Sequence, residues 1–169
     1  RVFSTSATHD LLDPMLRDSA NIQLSDAEWT TRKNLRAGKP PVEPLYTVED
    51  VDRLLLLFDV RPYDKLFHLG NGVKYRFFDA GHILGSATLE LFFQDSKEEK
   101  VIVFSGDIGK EGNPIIKDPL TPEKADYIVM ESTYGNRAHR PLDETITELV
   151  GAVKETFKRG GNVYIPSFA

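Results

Sequence analysis

Three side chains able to hold a metal ion stand where apolar runs end. Phe77-Phe78-Asp79-Ala80-Gly81-His82-Ile83-Leu84-Gly85-Ser86-Ala87 brackets a single imidazole with two glycines, which lets other groups come close to His82. The run Val101-Ile102-Val103-Phe104 stops at Ser105-Gly106-Asp107-Ile108-Gly109, and Tyr127-Ile128-Val129-Met130 stops at Glu131-Ser132-Thr133-Tyr134-Gly135. Imidazole nitrogen and carboxylate oxygen are the donors that a water-activating dinuclear zinc site requires, and a carboxylate can bridge two ions, a position that suits Asp107. Each residue also has a plainer reading. His82 is equally at home as a turn residue, Asp107 as an Asx-turn former before Ile108-Gly109, and Glu131 as a cap on the loop it opens. Arg137, His139 and Arg140 form a basic loop before a helix, which either touches an anionic substrate or is simply solvated. His9 and His68 read as structural or surface residues.

The elements that must position these groups follow from patterning. Val73 to Phe78, Thr88 to Phe93, Val101 to Phe104 and Asp126 to Met130 read as strands, with a shorter one at Leu66 to Leu69. Asn71-Gly72 fits a tight hairpin turn, and Asp95 to Glu99 a charged one, so the middle of the chain reads as antiparallel sheet. Ahead of it, Arg1 to Thr5 reads as a strand. Ala7 to Ala20 carries Leu11, Leu12, Met15 and Leu16 at helical spacing, with Thr8 or Ser6 available as N-cap and Pro14 acceptable only near the helix start. Ile22 to Pro44 is polar and broken by Gly38-Lys39-Pro40-Pro41, which predicts an exposed excursion with a short helix around Asp26 to Leu35. Thr47 caps a helix through about Leu57, with Val51, Leu54, Leu55 and Phe58 on its buried face, and Asp59 to Lys65 is a connector. Leu142 to Arg159 is the clearest helix, ended by Gly160-Gly161, and Val163 to Ile165 is expected to rejoin the sheet as part of a parallel pair.

Composition narrows the chemistry. The chain has 169 residues, 40% hydrophobic and 28% charged, which is enough for one domain with a sizeable core. No cysteine is present, so disulfides and thiolate sites are excluded and any zinc must use His and carboxylate ligands. No apolar run approaches the roughly 18 residues of a membrane span, and a cytoplasmic setting is the default expectation. The net charge of -5 argues against a surface that coats nucleic acid generally, and leaves room for cationic groups in one cleft. Both ends read as cut: the first residues have no initiator Met and look like a strand under way, and the last run from a strand into a polar loop.

Asp79 to Ala87, Phe104 to Gly109, Glu131 to Arg137 and Gly160 to Ala169 resemble, in order, successive motifs of the metallo-β-lactamase superfamily, and more narrowly of its β-CASP branch of RNA-processing nucleases. Ser4 to Leu12 is similar to the strand and helix that follow that family's main metal motif. The resemblance implies an α/β (α+β) fold, part of an αββα sandwich with a mixed, largely antiparallel sheet and flanking helices. Residues 1–169 would be a partial metallo-β-lactamase domain ending at the junction to a β-CASP domain. It implies two zinc ions in the intact protein, with His82 ligating one and Asp107 bridging both. Glu131 would be an acid that orients a histidine from the β-CASP insertion. The reaction implied is attack of zinc-bound hydroxide on a phosphodiester of single-stranded RNA, with Arg137 and His139 as phosphate contacts. The His-x-His-x-Asp-His motif of the superfamily occurs nowhere among His9, His68, His82 and His139. The isolated chain is therefore expected to hold zinc weakly or not at all and to be inactive alone. A small-molecule metallo-hydrolase of the same fold and a non-catalytic scaffold subunit are the rival readings.

Overall fold

The computed structural model describes residues 1–96, 98–138 and 140–167. The strand-forming middle of the sequence becomes a five-stranded sheet of β3 (Phe67–Gly70), β4 (Val73–Asp79), β5 (Ala87–Asp95), β6 (Glu98–Phe104) and β7 (Tyr127–Val129), in that spatial order. β3 to β6 pair antiparallel and β7 joins β6 in parallel, so the sheet is mixed and largely antiparallel as expected. Asn71 and Gly72 take φ of 51° and 77° between β3 and β4, the signs that a two-residue I′ turn demands.

Strand register decides which side chains share a face. Phe67, Tyr75, Leu91 and Ile102 lie in one row across β3 to β6, and Phe77, Leu89 and Phe104 in the next. Over that face lies a two-stranded parallel pair, β1 (Val2–Ser4) with β2 (Phe58–Val60). The Phe3 ring sits 5.4 Å from that of Tyr75, which is 2% exposed. Arg61, just past β2, lays its guanidinium 5.1 Å over Phe3 and 4.9 Å over Phe67, donates to the Tyr75 hydroxyl at 3.2 Å and pairs with Asp59. Burial of rings on this scale contributes about 1.5–3 kcal/mol each. β2 falls where the sequence predicts helix end and connector. Three residues make a strand there only because β1 supplies the partner.

The helices correct the sequence reading further. α1 (Ser6–Arg36) is one continuous helix, so the expected break after Ala20 and the exposed excursion from Ile22 do not occur before residue 37. Its N-cap is Thr5, whose hydroxyl accepts the Thr8 N–H, and Pro14 lies inside the helix at the cost of one intrahelical bond. Packing overrides these local signals. α2 (Val48–Leu55) packs against α1; Ala20 and Ala27 of α1 are buried, and Val51 of α2 is 2% exposed. Arg17 bonds Asp52 at 2.7 Å, and the Tyr46 hydroxyl bonds Ser19. The following segment folds back: Thr31 Oγ1 bonds both N–H and C=O of Val42, and Asn34 donates to the Pro40 carbonyl.

The chain divides into two units, Arg1–Glu131 and Ser132–Ala169. The second contains α3 (Leu142–Lys158), closed as expected by Gly160, whose N–H bonds the Phe157 carbonyl, and by Gly161, which bonds Thr156. Val163–Ile165 form no strand, contrary to expectation. A short apolar run held between Gly161 and Pro166 gains no ladder bonds without a neighbour. Among the described residues, no helix is long and apolar enough to cross a membrane.

Candidate metal centre

The loop carrying His82 leaves β4 and enters β5, and its shape is set by short-range polar contacts. Asp79 Oδ1 accepts the Gly81 N–H at 2.9 Å, and Ser86 Oγ accepts those of His82 and Ile83 at 3.1 and 3.3 Å. The Ser86 carbonyl accepts from the Tyr63 hydroxyl at 2.9 Å. Burial pushes that phenol above its usual pKa, and the Asp79 carboxylate adds to the shift. The far side of the loop is held by α1, where the hydroxyls of Thr5 and Thr8 donate to the Gly85 carbonyl at 2.8 and 2.9 Å.

The Asp107 loop leaves β6 and rests on the first. The Gly109 N–H donates to the Ala80 carbonyl at 2.8 Å, and a Cβ at position 109 would lie 1.5 Å from the Gly81 carbonyl oxygen. Only glycine allows that approach. Beneath, Ser105 is 3% exposed. Its hydroxyl accepts the Glu131 N–H at 3.3 Å and its carbonyl accepts the Thr88 hydroxyl at 3.0 Å. Glu131 Oε1 accepts the Ile108 N–H at 2.8 Å, so the acid that follows β7 braces the loop that carries Asp107.

His82 and Asp107 therefore meet, with Nε2 and Oδ2 3.9 Å apart and side chains 44% and 74% exposed. That is too long for a hydrogen bond. Two ligands of one tetrahedral zinc, each 2.0–2.2 Å from it, are about 3.4 Å apart, so the pair stands a few tenths of an ångström from converging on a cation. Among the described residues no group of three or more His, Asp or Glu forms a metal cluster. The donors present fit one side of a zinc centre.

No family model matches the chain. Over 99% of its length it is similar to ribonuclease TTHA0252 of Thermus thermophilus, at 32% identity over 168 residues. Endoribonuclease YSH1 of Eremothecium gossypii aligns along all of it at 28% identity, and cleavage and polyadenylation specificity factor subunit 3 of Dictyostelium discoideum along 74% at 33%. These ribonucleases and endoribonucleases, similar along nearly the whole chain, agree with its resemblance to the β-CASP branch of the metallo-β-lactamase superfamily. The chain spans 34% of the Thermus relative and 20% of the Eremothecium one.

Within this chain the sequence-predicted residues fare differently. His82 and Asp107 are brought together, and Glu131 is bound to the backbone beside Asp107. Arg137 lies in the second unit, its guanidinium 4.9 Å over the Tyr134 ring, and Arg140 pairs there with Glu148. His139 lies outside the described residues. Sequence reasoning missed the residues that hold the two loops in place: Thr5, Thr8, Asp79, Ser86, Thr88, Ser105 and Gly109. Asp79 and Ser86 carry a local signal, since a side chain of this kind bonding an N–H two to four residues away is ordinary turn chemistry. Thr5 and Thr8 lie 80 and 77 residues from Gly85, and nothing local announces that pairing.

Proposed function

We propose that the chain forms part of a zinc-dependent ribonuclease site that hydrolyses phosphodiester bonds of single-stranded RNA, with His82 and Asp107 as two of the metal ligands. The convergence of those two side chains on mutually bonded loops carries the reading. The printed names of relatives similar along nearly the whole chain, ribonuclease and endoribonuclease, supply the reaction class. The absence of cysteine leaves imidazole and carboxylate as the available strong donors, a set suited to zinc. When bound, zinc supplies Lewis acidity toward a phosphoryl oxygen and lowers the pKa of the attacking water.

The chain's own residues do the positioning. Ser86 and Asp79 fix the backbone from which the imidazole projects, and the Thr5 and Thr8 hydroxyls fix the loop's far end. Glu131 and Ser105 hold the Asp107 loop, and exposure of both donor side chains leaves room for a phosphate. Glu131 is also assigned to orienting a further histidine, and Arg137 and His139 to contacting phosphate. With two donors from this chain, zinc binding by the chain alone is weak.

The test is Asp107→Ala in the intact protein. RNA cleavage is expected to fall to background while the circular dichroism spectrum is unchanged, since the Asp107 side chain is 74% exposed. Undiminished cleavage by the variant refutes the assignment. The rival readings, a small-molecule hydrolase and a scaffold subunit, predict no cleavage of single-stranded RNA by the unmodified protein in the same assay.

A further inference from the structure

The last turns of α1 carry a group that the zinc centre does not use. Trp29, Arg32, Lys33, Arg36 and Ala37 follow one another along one side of the helix and line an open depression of about 400 Å³. Trp29 is 59% exposed, and the Lys33 ammonium lies 5.4 Å from the centre of its ring. From Trp29 to Lys39 the sequence holds four cations and no acid, in a chain whose net charge is -5. Arg17, Arg53, Arg61 and Arg76 are each paired with a carboxylate, whereas Arg32, Lys33, Arg36 and Lys39 make no ion pair among the described residues. Lys33 and Arg36 also complement the negative end of the helix dipole. That role asks for no tryptophan, and Arg32 lies before the last turn.

We infer that this end of α1 is an accessory binding surface for single-stranded RNA, with Trp29 as a platform on which a base stacks and Arg32, Lys33 and Arg36 as phosphate contacts. A π-face flanked by unpaired cations is the combination that holds single strands without reading sequence. The choice of RNA among polyanions rests on the ribonuclease reading above. At about 1.5 Å per residue the group lies roughly 35 to 45 Å along α1 from the Thr5 and Thr8 clamp, so it engages a different part of the strand from the part at His82 and Asp107. At the stacked spacing of about 3.4 Å that separation is on the order of ten nucleotides.

Trp29 is the chain's only tryptophan, so its fluorescence reports the surface directly. Polyuridine is titrated into the protein with chelator present, so that binding is read apart from cleavage. The expected result is saturable quenching that weakens between about 50 and 200 mM salt. Arg32→Glu with Arg36→Glu is expected to weaken binding tenfold or more and to lower the slope of log affinity against log salt by about 1.4, with an unchanged circular dichroism spectrum. Trp29→Ala, followed by anisotropy of labelled polyuridine, is expected to weaken binding on the order of tenfold. Absence of quenching, or unchanged affinity and salt slope in the double variant, overturns the inference. Polyglutamate that competes as well as polyuridine, with Trp29→Ala without effect, assigns the surface to an acidic protein and also overturns it. Quenching of this chain while the intact protein fails to cleave single-stranded RNA leaves the inference standing and removes the ribonuclease reading; cleavage by the intact protein without quenching of this chain does the reverse.

Discussion

Glu90 is 2% exposed, yet it carries a carboxylate in the middle of β5. Register places it directly opposite Arg76 of β4, whose Nε and Nη2 reach the same oxygen at 2.8 and 2.7 Å. The guanidinium also lies 4.5 Å over the Phe78 ring and 5.8 Å from that of Phe92, so its plane is covered while its edge bonds the acid. The Arg76 side chain is 31% exposed, so the buried charge is that of Glu90, and a buried charge left without its partner is costly. Arg76→Met is therefore expected to lower stability by about 3–5 kcal/mol. Adding Glu90→Met should recover most of that loss. Denaturant midpoints for the single and double variants check both, and a single-variant loss under about 1 kcal/mol would mean that water reaches the carboxylate.

Among the elements, α2 is set by its first turn. Thr47 accepts the Asp50 N–H while the Asp50 carboxylate accepts the Thr47 N–H at 2.9 Å, a complete capping box. Thr47→Ala should cost about 1 kcal/mol and Thr47→Ser almost nothing, as read from urea midpoints. This cap was legible in the sequence because both partners lie within four residues, and so was the Asn71-Gly72 turn. The length of α1 was not: its buried positions are Ala20 and Ala27, which carry no strong apolar period, and the helix is held by contacts far along the chain, Arg17 with Asp52, Ser19 with Tyr46 and Thr31 with Val42. β2 was hidden for the same reason, since its pairing with β1 is invisible along the chain. At the candidate site, strand ends led to His82 and Asp107, which the structure places 3.9 Å apart, while the hydroxyls that hold the loops belong to residues distant in sequence or unremarkable in type.

Across the molecule, carboxylates bound to backbone N–H groups tie stability to acid. The Val101 N–H, at 2.8 Å, holds the Asp126 carboxyl below its ordinary pKa, and the Lys124 and Lys100 charges add to the shift. The Thr47 N–H, with the Arg53 guanidinium, does the same for Asp50. A depressed folded-state pKa means that the unfolded chain binds the proton first. The stabilisation is present above the ordinary aspartate value near 4 and is lost as pH falls through the lower folded value. Denaturant midpoints measured from pH 6 down to pH 2 are expected to drop below about pH 4. The Asp126→Asn variant should show a shallower drop, and an equally steep one would remove Asp126 from the account.

The contact between Gly109 and Gly81 has a genetic corollary. Glycine codons share their first two bases, so any change at either base of codon 109 replaces hydrogen by a side chain or stops translation, and the space beside the Gly81 carbonyl admits neither. Third-base changes are silent. For a point where two loops touch backbone to backbone, the mutational spectrum is thus split sharply between harmless and disabling, with almost nothing between.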